Sequence, residues 1–193
     1  MLQINDCDVF DTIKVEDLWC LDKLILAKRL GYYCGPAGVA PVPGTYIVRP
    51  VMNQRMMGLG ASIEFLSGDT IPLGYFWSEV FLGRHLSFDY YWGRQCLAVE
   101  GFRNSSRLDR FSHWTRVTDV FELPAILQSI ADRYEWFNIE VVGNNVIETH
   151  FRYNDDFANH NAQTIVPVWR NEFYTSSCGD RMGFILKDTN ANN

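Results

Sequence analysis

The chain has 193 residues, 47 % hydrophobic, 21 % charged and 15 % aromatic, with a formal net charge of −6. That length and composition exclude a disordered chain and suit one domain or two closely joined lobes around a true core; the acidic balance argues against general nucleic-acid binding, so any anion site must be local. No apolar run approaches the roughly 18 to 20 residues of a membrane-spanning helix, and five cysteines without a CxxC pair, behind a start unlike a leader peptide, indicate a reducing, cytoplasmic setting in which the thiols are small buried packers.

Residues 15–30 set Leu18, Leu21, Leu24, Ile25 and Ala27 at spacings of three and four, which predicts an amphipathic helix stopped by Gly31. The proline- and glycine-rich CGPAGVAPVPG (34–44) predicts a loop. TYIVRPV (45–51) is a β-branched and aromatic strand, NQRMMGLGAS (53–62) a glycine-containing turn, and IEFL (63–66) the returning strand. Residues 74–104 predict three strands broken at Gly83 and at the Trp92-Gly93-Arg94 turn; Trp77, Tyr90, Tyr91 and Trp92 in this stretch belong in the core by their strand context, with stacking on a base as the alternative.

The polar, basic stretch 105–116 predicts a loop or short helix. In ELPAILQSIADRYEW (122–136), Leu123, Ile126, Leu127 and Ile130 recur at helical spacing, with Pro124 tolerated in a first turn. Two strands then pair across Gly143-Asn144-Asn145, and after Asp155 one further strand, TIVPVW (164–169), precedes a polar end. With no internal repeat, low-complexity tract or separating linker, this order predicts an α+β fold of mostly antiparallel strands.

The hairpin concentrates the chemistry. Strand alternation sends Glu148, His150 and Arg152 to one face, and pairing across the turn can bring Glu140 beside them. Two adjacent carboxylates repel, which a hard divalent cation such as Mg²⁺ relieves, and the guanidinium can grip an anion through a forked pair of hydrogen bonds. The same spacing also suits a solvent-facing row of weak ion pairs. Gly58 and Gly60, flanked by Asn53, Gln54 and Arg55, can offer backbone N–H groups and a cation to phosphate, although a plain hairpin tip reads identically and neither nucleotide-loop fingerprint is present. The basic group Arg103, Arg107, Arg110, His113 and Arg116 is either a substrate-phosphate site or solvated surface; Arg103, directly after the strand CLAVEGF, is the favoured member. No nucleophile elbow, base-adjacent cysteine or zinc spacing occurs.

Taken in order, DKLILAKRLGYYCGPAG, GTYIVRP, NQRMMGLGASIEF, WSEVFLGRHLSFDYYWG and NIEVVGNNVIETHFR resemble the ATP-grasp superfamily across residues 22–152. The resemblance implies an α+β chain of two small lobes of mostly antiparallel sheet with packed helices, one domain over 1–193, with a first lobe at about 15–77 and a second at about 78–193. It implies ATP and Mg²⁺ bound between the lobes, with Lys23 and Arg49 on the phosphates and Asn53, Arg55, Gly58 and Gly60 in the covering loop. Glu79, Val80, Phe81 and Leu82 fall at the adenine hinge, with Arg84, His85 and Asp89 following it, His85 counted among the nucleotide contacts. Glu140, Glu148 and His150 fall at the metal ligands, and Arg152 and Arg103 at the reacting phosphate or acceptor. Arg49 stands where lysine is usual and His150 where asparagine is usual.

The implied activity is a carboxylate–amine ligase: ATP activates a carboxylate as an acyl phosphate, which an amine then attacks. Members generally carry a further N-terminal domain, and only about 20 residues precede the first match, implying a compact member lacking it. Its carboxylate substrate is then a peptide or protein, or a partner subunit or second copy completes the cleft. The alternative is a catalytically inactive nucleotide-binding or regulatory module. An adenylating nucleic-acid ligase is excluded by the absence of a K-x-D-G motif. On this reading Glu148→Ala abolishes turnover without unfolding the chain.

Overall fold

Side-chain alternation along eleven strands builds two antiparallel sheets in the computed structural model, which describes residues 9–52, 60–68, 70–104, 108, 110–158, 160–169 and 181–187. The smaller sheet, in the order β1-β4-β2-β3, comprises β1 (Cys34–Pro36), β2 (Gly44–Pro50), β3 (Ser62–Leu66) and β4 (Tyr75–Glu79). The larger comprises β5 (His85–Tyr91), β6 (Arg94–Phe102), β7 (His113–Arg116), β8 (Trp136–Val142), β9 (Asn145–His150), β10 (Thr164–Trp169) and β11 (Arg181–Lys187), in the order β11-β10-β7-β6-β5-β8-β9. Three short α-helices of the described residues accompany them: α1 (Lys23–Arg29), α2 (Ala125–Ala131) and α3 (Asp155–Ala158). No helix among the described residues is long and apolar enough to cross a membrane. This is the α+β architecture that the residue pattern predicts.

The two faces of the large sheet have opposite chemistry. Leu86, Phe88 and Tyr90 of β5 and Phe137, Ile139 and Val141 of β8 bury one face against Leu127 and Ile130 of α2. The intervening His85, Ser87, Asn138 and Glu140 point the other way, into a cavity. Ile13, Cys20, Leu21 and Leu26 complete this core, so the N-terminal segment, expected within the first lobe, packs on the large sheet. The small sheet has its own modest cluster of Tyr46, Val48, Leu66, Ile71 and Trp77.

In β9 strict alternation fails at one point, and the failure positions the site. Glu140 pairs with Glu148 but Val141 pairs with Val146, so a bulge around Ile147 shifts the register. Without it, Val146 and Glu148 would share a face. With it, Val146 enters the core while Glu148 and His150 face the cavity.

Several sequence expectations need correction. The helix of 15–30 is two elements: a 3-10 helix at Val15–Leu21, then α1. Asp22 between them is extended, and its Oδ1 accepts the Ile25 N–H at 2.8 Å, so a capping aspartate restarts the helix. Residues 34–44 are not all loop, because Cys34–Pro36 pairs with β4 as an edge strand. His113–Arg116 is strand β7, neither loop nor helix, and the stretches after Asp155 add α3 and β11. Of the cysteines, Cys20 is buried, whereas Cys34 is half-buried and Cys96 exposed; Cys7 and Cys178 lie outside the described residues. Trp77 and Tyr90 are core, but Tyr91 and Trp92 are largely exposed.

Candidate active site

A cavity of about 330 Å³ lies between the sheets. Ile47, Arg49, Ile63 and Ser78 wall it from the small sheet, residues 79–83 close one side as the connection into β5, and the polar face of β5, β8 and β9 forms the opposite wall. The connection is pinned at both ends. Glu79 exchanges backbone and side-chain hydrogen bonds with Tyr33, and Gly143 in the β8–β9 turn donates its N–H to Arg84 O at 3.0 Å.

Glu140 and Glu148 are direct cross-strand partners facing this cavity. Lys23, 4 % exposed at the start of α1, places its Nζ 3.0 Å from Glu148 Oε2, while His150 Nε2 lies 3.4 Å from Glu148 Oε1. His85 bridges Glu140 and Arg103: its Nε2 is 3.0 Å from Glu140 Oε2 and its Nδ1 is 3.2 Å from Arg103 Nη2. A guanidinium only donates, so Nδ1 is the acceptor and Nε2 carries the proton that Glu140 accepts. Arg103 is held further by Leu108 O at 3.2 Å and by stacking over Phe111 at 3.8 Å. Burial raises the Glu140 carboxyl, but the His85 hydrogen bond and the positive surroundings of His150 and Lys23 outweigh it and hold the group well below its ordinary range.

Arg49 is fully buried beside these acids, its guanidinium 5.1 Å from the centre of the Phe76 ring. Burial lowers its pKa, and the charges of Glu148 and Glu140 oppose that shift. Its Nε has no hydrogen-bond partner among the described residues, and neither does the buried Ser78 Oγ; both residues line the cavity. Orphaned buried polar groups are costly, and a polar ligand in the cavity would satisfy them. Behind the far end, Asp89 accepts from Asn138 Nδ2 at 2.7 Å and from the Asn154 N–H at 2.8 Å, yet burial still pushes its carboxyl up to about 6.

The cavity wall therefore holds Lys23, Arg49, Glu79, Val80, Phe81, Leu82, His85, Arg103, Glu140, Glu148, His150 and Arg152 together. Gly60 is described but does not line it, and Asn53, Arg55 and Gly58 lie outside the described residues. Arg84 turns away to Glu100 and Asp119, and Arg116 binds the carbonyls of Phe157, His160 and Ala162. Sequence reasoning missed Ser78, Ser87, Asn138, Asn154, Asp155 and Asp156 on the wall. For Asn138, two residues before Glu140 on one strand, alternation was an available signal; for Asp155 and Asp156 there was none.

The donor atoms of Glu140, Glu148 and His150 all lie within 4.8 Å of one another. Two carboxylates facing across a strand pair, with an imidazole beside them, suit a divalent cation by charge and by donor type.

No family model matches the chain, and no curated protein sequence matches it. Solved structures do. One titled as an ATP-grasp superfamily protein from Archaeoglobus fulgidus is 17 % identical, covering 88 % of this chain and 64 % of its own length at a TM-score of 0.53. The chain has an ATP-grasp-like fold. Two further structures match at lower TM-scores: D-alanine–D-alanine ligase from Bacillus anthracis, 12 % identical over 76 % of this chain and 57 % of that one at 0.39, and the ATP-grasp ligase PsnB with a minimal precursor, 11 % identical over 69 % and 51 % at 0.41. The chain spans less than two thirds of each of these proteins. The cavity thus lies between the two sheets, and residues 79–83 form the connection from the smaller sheet into the larger.

Proposed function

We propose that this ATP-grasp-like chain is an ATP-dependent ligase that activates a carboxylate as an acyl phosphate for attack by an amine or similar nucleophile. The observation that carries this reading is the convergence, from two sheets and a helix, of Lys23 and Arg49 with the facing pair Glu140 and Glu148 on one cavity. Buried cations beside paired acids suit a polyphosphate with its divalent ion, because each neutralises charge that the other would leave uncompensated.

In this reading Arg49 and Lys23 hold phosphate oxygens, the backbone of Val80 to Leu82 borders the base, and Ser78 supplies a hydrogen bond to it. Glu140, Glu148 and His150 would hold a divalent ion, which would supply charge neutralisation at the phosphates when bound. A carboxylate oxygen of the substrate attacks the γ-phosphorus as the bond to ADP breaks; the neutral amine then attacks the acyl carbon, the bond to phosphate breaks, and the surplus amine proton leaves with the phosphate. Arg103 and Arg152 face this reacting end and stabilise its anionic oxygens. The reaction takes place in the cytoplasm, with a peptide or protein among the candidate carboxylates and a partner subunit or second copy able to complete the cleft.

The test is thermal denaturation of the full chain with Mg²⁺ or Mn²⁺, alone and with ATP or ADP, followed by phosphate release in the presence of carboxylate and amine mixtures. Ligand at a hundred times Kd is expected to add about 2.7 kcal/mol of stability. Absence of any nucleotide shift would remove the proposal. A shift with no phosphate release under any mixture would favour the inactive binding module instead.

A further inference from the structure

We propose that the cluster of Glu140, Glu148 and His150 selects a first-row transition-metal ion, for which paramagnetic Mn²⁺ is the probe, over Mg²⁺, with the imidazole of His150 as a direct nitrogen ligand. The inference deepens the site proposed above and shares its location, but it stands on the donor atoms themselves.

The first argument is convergence. The three donor atoms lie within 4.8 Å of one another, whereas ligands around a shared octahedral ion stand roughly 3 Å apart when adjacent and about 4.2 Å when opposite. Small side-chain rotations therefore close the set on one ion.

The second argument is the division of labour between carboxylate oxygens. Glu148 gives Oε2 to Lys23 at 3.0 Å, and its Oε1 is the oxygen facing His150 Nε2 at 3.4 Å. Glu140 gives Oε2 to His85 Nε2–H at 3.0 Å. Each acid thus has one oxygen oriented by an outer donor, which is how outer hydrogen bonds orient metal-binding carboxylates. The same arrangement makes His85 a positioning residue for Glu140.

The third argument is donor type. His150 is 4 % exposed and sits at the end of β9, where the face of the strand commits its ring to the cavity. An ion bound by both acids must accept a nitrogen neighbour. Mg²⁺ sheds water reluctantly and demands near-ideal oxygen geometry, so a fixed imidazole in place of an oxygen or a water disfavours it; the first-row series, in which Mn²⁺ is the weakest member and later ions suit imidazole better still, tolerates the nitrogen.

The experiment titrates Mn²⁺ into the full chain by continuous-wave electron paramagnetic resonance, competes it with Mg²⁺, and records pulsed spectra for coupling to imidazole nitrogen. Mn²⁺ is expected to bind on the order of tenfold or more tightly than Mg²⁺ and to show that coupling. His150→Asn, which offers an amide oxygen, is expected to remove the coupling and most of the preference, whereas His85→Asn is expected to retain the coupling. Equal affinities, bound Mn²⁺ without nitrogen coupling, coupling that survives in His150→Asn, or no divalent binding overturns the inference. The wild-type spectrum decides even if a variant fails to fold. Stabilisation by Mg-ATP without nitrogen coupling sinks this inference alone, and Mn²⁺ bound through nitrogen with no nucleotide shift sinks the nucleotide reading alone.

Discussion

At the residue scale, the Lys23–Glu148 pair changes what a mutation at Glu148 means. The two side chains are 4 % and 8 % exposed. Removing one partner takes the close counter-charge away from the other buried group, which typically costs about 3 to 5 kcal/mol. Glu148→Ala is therefore expected to lower the urea-denaturation free energy by roughly that amount, as well as abolishing turnover. The double variant Lys23→Met/Glu148→Leu should recover most of the lost stability while still failing to bind nucleotide; a stable single variant with intact binding would refute the assigned role. Asp89 gives a separate prediction in pH. Its folded carboxyl is raised from 3.8 to about 6 by burial, so between those values the folded state keeps a proton that the unfolded state has released. The stability this contributes is full below about pH 4 and is lost as pH rises through 6, a span worth about 3 kcal/mol. Asp89→Asn should show a flatter denaturation midpoint across pH 4 to 6 than the parent, and parallel profiles would contradict the shift. The row Glu148, His150, Arg152 was legible because strand periodicity is local. Lys23 and Arg49 were legible only through resemblance, since nothing local at a helix start or in an interior strand announces acidic groups that lie far along the chain.

At the element scale, the strands of both central hairpins were readable, because β-branched and aromatic runs bounded by glycine turns leave little choice. What escaped was short or shielded from pattern. β7 hides a buried Trp114 among polar neighbours, β1 has three residues, and the bulge at Ile147 is invisible to strict alternation. The connection 79–83 depends on another element-level contact. Gly143 has φ +62, and a Cβ there would come within 2.6 Å of Leu82 O, while one at Gly83 would meet Gly143 Cα at 2.7 Å. The β8–β9 turn and this connection thus touch backbone to backbone, which only glycine permits. Gly143→Ala is expected to cost about 1 to 3 kcal/mol in chemical denaturation and to weaken ADP binding by moving the Leu82 backbone. Unchanged affinity in an equally destabilised variant would mean that the backbone of this connection does not contact the nucleotide.

At the scale of the whole molecule, the α+β order was legible and the packing of the N-terminal segment was not. The amphipathic pattern of 15–30 states that a face is buried but not against which sheet, and Cys20, Leu21 and Leu26 chose the large one. The small sheet is left with a cluster of five buried side chains, against seventeen in the main core of the large sheet. Local opening free energies follow such differences, so the small sheet is expected to open more readily than the large one in the absence of ligand. A nucleotide touching Arg49 and Ser78 on one sheet and Glu140 and Glu148 on the other would tie the weaker sheet to the stronger. Amide hydrogen exchange measured by mass spectrometry with and without ATP and a divalent ion should therefore slow most in β2 and β4, with little change in β5 and β8, whose side chains form the larger core. Slowing confined to the large sheet would place the ligand outside the cleft between the sheets.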